Sequence, residues 1–261
     1  MTSIQNGYKD IIYHNKTHGI DVAQYAYYFA TRCEMREILE LDDLDLVSLI
    51  VAGSIHDFEH FGYTNQYLVE TKHPWAMTYN DTAVLEAHHV SAAFQLMHSN
   101  TELDIFQHTS KENYKALRKR IVAMVLATDM ASHFDHLELL NTMGSNHEFF
   151  VNQKTEKDQI FLMSMAVHAA DLANPTKDWL ISMRWGYMVM EEFFLQGDVE
   201  KKSNLPIGFL NDRTKINIAN SQIGFMDMFV LPTFTAFTKI LPNMKERVDQ
   251  AKKNQSRFKD M

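Results

Sequence analysis

Helical periodicity constrains this chain more than any other feature. Apolar residues recur three and four positions apart through 22–39, 43–57, 80–97, 113–130, 156–174, 180–198 and 212–230, the spacing that lines one face of an α-helix. No stretch alternates apolar and polar residues between turn signals, so strands do not compete. Nine glycines and five prolines in 261 residues leave little material for tight turns and favour long helices. The expected fold is all-α. Boundaries are marked by an acidic start at Asp43, an Asn80–Asp81 cap with Glu86 following, Asn174–Pro175 after 156–174, Gly197 near the end of 180–198, and Pro232 past 212–230. Residues 60–79 read as a loop with room for short helices, and 141–155 and 199–211 read as loops. No internal repeat or low-complexity linker divides the chain, which is expected to form one domain over 1–261.

Charge narrows the partners. A net charge of −8 argues against a general affinity for nucleic acid or anionic lipid. An anionic substrate would need positive charge supplied locally, and bound metal ions are the obvious source. Cys33 is the only cysteine, so no intrachain disulfide can form and a reducing, cytoplasmic setting is expected. MFVLPTFTAF is the most apolar run, but it is shorter than the ~18 residues of a membrane span and carries Pro232. No signal peptide is expected at the start. Sixteen methionines and seventeen phenylalanines suit irregular helix–helix cores, and methionine also suits adaptable pockets.

Three short motifs could carry chemistry. YHNKTHGID (13–21) sets His14 and His18 four apart, HDFEH (56–60) joins His56 to Asp57 with His60 after them, and HAADLANP (168–175) holds His168 and Asp171 at the end of a nearly all-apolar helix. Positions i and i+4 share a helix face. Both imidazoles of the first motif could then grip a metal, or one could grip while the other moves a proton. Two polar residues on a wet face is the ordinary alternative. A lone carboxylate at Asp171 would be costly to bury without a partner or a cation. Imidazole with carboxylate suits zinc, and carboxylate with several waters suits magnesium or manganese. Two ions sharing one carboxylate would lower the pKa of a water between them and draw charge off a phosphoryl oxygen. Any one of the thirteen histidines is more often a surface or capping residue than a ligand, and His73, His98, His108, His133, His136 and His147 have no stronger reading. An upstream His, an HD pair and a downstream Asp, each at a helix end, are much harder to obtain by chance.

These motifs belong to a longer series. YHNxxHxxDV (13–22), HDxxHxGxxN (56–65), ATDM with His133 after it (127–133), HAADLxNP (168–175), MEEFFLQGD (190–198) and SQIGFxD (221–227) follow one another in an order that resembles the catalytic domain of class I cyclic nucleotide phosphodiesterases. The resemblance runs from about residue 7 to about residue 240. NDTAVLEAHHVSAAF and EEFFLQGD look most like the calmodulin-dependent subfamily, whereas NPTK (174–177) looks like the cAMP-selective ones. The resemblance implies a compact multi-helix bundle of the HD type. Family domains carry further helices before the YHN motif, so the expected domain is N-terminally short, and regulatory domains or partners outside this chain stay open. Calmodulin control is not implied, because the segments for it also precede the domain. Ala87 stands where the family usually has asparagine.

Carried over residue by residue, the resemblance implies that His18, His56, Asp57 and Asp171 bind the tighter metal, expected to be zinc. Asp57 would bridge to a second ion, magnesium or manganese, with waters held by His60, Glu86 and Thr128. His14 would be the general acid and Glu192 would orient it, with Glu191 facing outward. Gln222 would hydrogen-bond the purine, Phe225 would stack on it and Val189 would press from the other face, with Tyr13, Met130 and Asn174 also at the substrate. Gln222 and Phe225, three apart on a helix, share a face. The implied reaction is metal-dependent hydrolysis of cAMP, cGMP or both to the 5′-monophosphate, ending a second-messenger signal. Another HD-type phosphohydrolase acting on linear nucleotides, and a non-catalytic module that binds cyclic nucleotide, remain as alternatives. The partner expected is a small cyclic nucleotide, with no nucleic acid and no membrane contact from this chain.

Overall fold

Capping and burial explain where each helix begins and what it hides. The computed structural model describes residues 2–146 and 152–261, so His147 and part of the expected 141–155 loop lie outside the described residues. Among the described residues there is no strand. The helices are α1 (Thr2–Gly7), α2 (Lys16–Arg32), α3 (Met35–Leu39), α4 (Asp43–Ile55), α5 (Asn65–Glu70), α6 (Pro74–Tyr79), α7 (Val84–His98), α8 (Lys111–Leu126), α9 (His133–Ser145), α10 (Glu156–Asp171), α11 (Trp179–Lys202), α12 (Ile218–Phe225), α13 (Leu231–Thr238) and α14 (Lys245–Lys259). Among the described residues, no helix is long and apolar enough to cross a membrane.

Four helices make the frame of the site. α2, α4, α8 and α10 pack on one another around Phe29, Leu49, Ile121 and Met163, all fully buried. Burying each such side chain stabilises the fold by about 1.5–3 kcal/mol. α4, α8 and α10 end where α2 begins, which brings the residues after α4 and α8, the last residue of α10 and the first turn of α2 to one end of the frame. Three of these four termini are C-termini, whose partial negative charge suits cations, against the one N-terminus of α2. A capping box fixes the start of α4: Asp45 N–H donates to Asp42 at 2.8 Å and Asp42 N–H donates to Asp45 at 3.0 Å. Asn15 caps α2 by accepting from the Thr17 and His18 N–H groups. α13 packs between α9 and α14, and α12 also lies against α14.

Several boundaries differ from the sequence reading for identifiable reasons. α2 starts at Lys16, so His14 precedes the helix rather than sitting one turn before His18 within it, and the helix stops at Cys33–Glu34, where Glu34 turns left-handed (φ 60°). Asn80 closes α6 instead of opening α7, and Asn80, Asp81 and Ala83 are all left-handed (φ 54°, 60° and 43°). Gly197 does not stop α11, which continues to Lys202; a Cβ there would lie 2.0 Å from the Asn211 carbonyl oxygen, so the glycine serves packing. α12 begins only at Ile218 and passes through a π-helical turn, Met226–Val230, into α13. Pro232 therefore sits in the first turn of α13, directly after the π-helical turn, rather than ending the helical run. α9 runs into the expected 141–155 loop. α5 and α6 are the short helices for which 60–79 had room.

Candidate functional site

The bundle end gathers the residues that the motifs single out. One ligand atom from each of His18, His56, Asp57 and Asp171 lies within 4.8 Å of the others. His18 Nε2 stands 2.8 Å from Asp171 Oδ1 and 3.5 Å from Asp57 Oδ2. His56 Nε2 stands 3.1 Å from Asp57 Oδ2 and 3.4 Å from Asp171 Oδ1. His56 Nδ1 donates to the Gly53 carbonyl at 2.9 Å, which leaves Nε2 to take a proton or a cation. His56 Nε2 and Asp57 Oδ2 are buried and hydrogen-bond to nothing among the described residues. Burial pulls the His56 pKa down, but Asp57 and Asp171 outweigh it and hold the pKa well above the usual imidazole range. Burial likewise opposes ionisation of Asp171, yet His56 and His18 keep it well below the usual carboxylate range. The site calls for positive charge between its acids, and two imidazoles with two carboxylates fit a divalent cation.

Asp57 faces a second group as well. With His60 and His89 it forms another cluster of possible ligands, and His89 Nε2 lies 3.8 Å from Asp57 Oδ1. His89 Nδ1 donates to the Phe58 carbonyl at 2.6 Å, while its Nε2 is buried without a partner. Glu86 and Thr128 line the same polar hollow of about 570 Å³. Asn65 Nδ2 donates to Glu86 at 2.9 Å, and burial pushes the Glu86 carboxyl up to about 7.

Beside the cluster lies a histidine–carboxylate pair. Glu192, on α11, accepts from the Tyr13 N–H at 2.7 Å and the His14 N–H at 3.3 Å with one oxygen, and hydrogen-bonds His14 Nδ1 with the other. Burial lowers the His14 pKa, but Asp57 and Glu192 overcome it and push it up to about 9. The His60 ring stacks on His14 with centroids 4.0 Å apart. Burial and the neighbouring His14 charge hold His60 well below the usual imidazole range. Glu191 points outward and pairs with Arg213 at 3.2 Å.

A cavity of about 310 Å³ opens from this pair. Tyr13, Met130, Asn174, Val189, Gln222 and Phe225 all line it, as do His14 and Asp171. Asn174 Nδ2 donates to the Tyr13 hydroxyl at 2.5 Å and leaves a buried Oδ1 without a partner. The Gln222 side chain makes no hydrogen bond among the described residues. It packs on Gly186, where a Cβ would come within 2.8 Å of Gln222 Oε1.

Some residues of the site carry little or no signal in the sequence. Trp185 and Phe193 line the cavity from the same face of α11 as Val189, and their four-residue spacing was the available signal. Leu210 comes from an irregular segment and carries no such signal. His89 is the second histidine of LEAHH and nothing local marks it as the inward one. His168 does not join the cluster: it lies in the core with its Nε2 2.9 Å from His133 Nδ1.

An all-helical bundle that collects imidazoles and carboxylates at one end, beside an apolar cavity, defines a class of protein able to hold divalent cations next to a bound ligand. Within that class the chain belongs to the 3′,5′-cyclic nucleotide phosphodiesterase family, whose profile matches residues 13–251. It is 40% identical over 249 residues to the human dual specificity calcium/calmodulin-dependent 3′,5′-cyclic nucleotide phosphodiesterase 1B, covering 94% of this chain and 45% of that protein. A probable 3′,5′-cyclic phosphodiesterase of Caenorhabditis elegans, pde-1, is 38% identical over 234 residues, covering 90% of this chain and 34% of that protein. The chain thus spans less than half the length of these curated relatives. The structure of LmjPDEB1 in complex with IBMX superposes with a TM-score of 0.92 at 27% identity, over 99% of this chain and 77% of that one.

Proposed function

We propose that this chain is a catalytic domain that hydrolyses 3′,5′-cyclic purine nucleotides to 5′-monophosphates. His18, His56, Asp57 and Asp171 would hold zinc, and Asp57 would share a second ion, magnesium or manganese. One observation carries the reading: the metal-ligating hollow and the apolar cavity share His14, Met130, Asp171 and Phe193. A ligand with an anionic diester at one end and a flat base at the other fits that continuous space. Divalent cations bound there supply charge to phosphoryl oxygens and bring water toward hydroxide at neutral pH.

The protein's own groups do the rest. With Nδ1 tied to Glu192, His14 has Nε2 left to protonate the departing 3′ oxygen. The Glu192 carboxylate on Nδ1 favours the protonated form of the ring. Glu192, anchored by two backbone N–H groups, fixes the ring's orientation. His60 is held toward its neutral form beside it and, with Glu86 and Thr128, would hold waters for a second ion. Phe225 covers one face of the base and Val189 presses on the other, with Tyr13, Met130 and Asn174 completing the wall. The Gln222 amide, free of protein hydrogen bonds among the described residues, can present donor or acceptor and take adenine or guanine. The human relative's dual specificity supports this choice of both substrates. The single free cysteine, Cys33, supports a cytoplasmic site of action. Purified protein with zinc and magnesium or manganese, offered cAMP, cGMP and linear nucleotides, is expected to consume only the cyclic ones. Activity confined to linear nucleotides would overturn the reading.

A further inference from the structure

Glu200 lies on the buried face of α11, only 3% exposed. Among the described residues no lysine or arginine pairs with it. Its charge is met by amides alone: Gln196 Nε2 at 2.7 Å, the Gly208 N–H at 2.9 Å, and Asn211 Nδ2 at 3.1 Å from both oxygens. A buried carboxylate without a cationic partner depends on its hydrogen-bond donors being in place. Gln196 reaches the other way too, accepting from the Thr64 N–H at 2.9 Å and donating to Thr64 Oγ1 at 3.1 Å. Thr64 caps α5, whose first residue, Asn65, holds Glu86. On the opposite side, Leu210 lies next to the clamped Asn211 and lines the apolar cavity. Gly208 permits the close fit, since a Cβ there would lie 2.5 Å from Asn211 Nδ2.

We infer that Glu200 is a positioning residue: its buried carboxylate clamps residues 203–211 so that Leu210 closes the nucleotide cavity, and Gln196 ties that wall to the Thr64–Asn65–Glu86 side of the metal-ligating hollow. Glu200 touches neither the cavity nor the ligand cluster. The inference rests on the proposed hydrolysis for its kinetic readout, whereas the clamp itself can be read without turnover.

Glu200→Gln keeps the volume but sets a donor among donors. KM for the cyclic nucleotide is expected to rise about tenfold with kcat changed less than about twofold, the pattern of lost binding rather than lost chemistry. Hydrogen exchange over 205–211 should quicken about tenfold or more while α2 and α10 stay protected. Combining Glu200→Gln with Asn211→Asp restores one charge facing one amide, and should bring KM back to within about threefold, a rescue that general destabilisation would not give. Asn211→Ala, which removes one donor, should shift both readouts in the same direction by less, and it decides the matter if Glu200→Gln fails to fold. Unchanged exchange in a folded variant would overturn the clamp. Faster exchange with unchanged KM, or an equal fall in kcat and kcat/KM, would overturn its link to the cavity. A wild-type protein inactive on cyclic nucleotides would instead overturn the proposed function, leaving the clamp to be judged by exchange.

Discussion

Glu192→Gln tests the proton donor with almost no change of shape. The His14 pKa stands at about 9 against an ordinary 6.5. At 1.36 kcal/mol per pKa unit, that is a net preference of about 3 kcal/mol for the charged ring. Asp57, Glu192 and Asp171 supply it against the burial penalty. A hydrogen bond to a charged group is worth about 1.5–3 kcal/mol, so losing the carboxylate should lower the His14 pKa by about one to two units. The acid works while protonated, so activity is lost as pH rises through the pKa that His14 has with the cations bound; they offset Asp57 and Asp171 and bring it below the ion-free value, while the Glu192 hydrogen bond acts in both states. The basic limb of kcat/KM, followed from about pH 6 to 10 at saturating zinc and magnesium, should therefore move down by about one to two units in the variant. Stability has the same sign. A folded pKa above the unfolded value contributes stability that is fully present below about pH 6.5 and lost as pH rises through about 9. The gap in Tm between wild type and variant should then be widest near pH 6 and close above pH 9. A basic limb that does not move would refute the assignment of His14 as the acid oriented by Glu192.

Further substitutions separate the remaining roles. His14→Ala should leave metal content intact, measured by elemental analysis, while turnover falls by roughly 10²–10⁴; loss of metal would make His14 a ligand. Asp171→Ala should strip the tightly held ion during gel filtration, and retention of one zinc per chain would remove Asp171 from the ligand set. Gly186→Val should displace the Gln222 amide, since even a Cβ lies 2.8 Å from Oε1, and raise KM for both cyclic nucleotides with metal content unchanged; an unchanged KM would mean the amide does not address the base. Asp42→Ala breaks the capping box of α4 and should cost about 0.5–2 kcal/mol by urea denaturation.

The class of the fold was legible because a 3.6-residue period survives any detail of packing. The long helices fell where apolar stripes ran, and the misplacements came where a residue type has two uses. Asn80 is as good at ending a helix as at starting one, and here it ends α6. Gly197 reads as a stop but serves close approach. α14 was not legible: its buried face carries only Val248, Ala251 and Phe258 as apolar residues, beside the buried amides of Asn254 and Gln255, in an otherwise polar run. The proposed ligands stood out because an HD pair and a lone Asp beside apolar sequence are expensive to bury without purpose. The cavity's remaining walls did not, because Leu210 owes its place to a clamp from Glu200, eleven residues from Asn211, and not to its neighbours in sequence.

The proposed ligand set is also dispersed along the polypeptide: His18 and Asp171 are 153 positions apart and yet touch. No local segment can assemble it, since a contact that distant forms only once the intervening helices have condensed. During synthesis the growing chain cannot capture a cation there until α10 has been made and has docked. Uptake of the ion would therefore report a finished frame, and every mole bound would deepen the folded well by mass action without helping to form it.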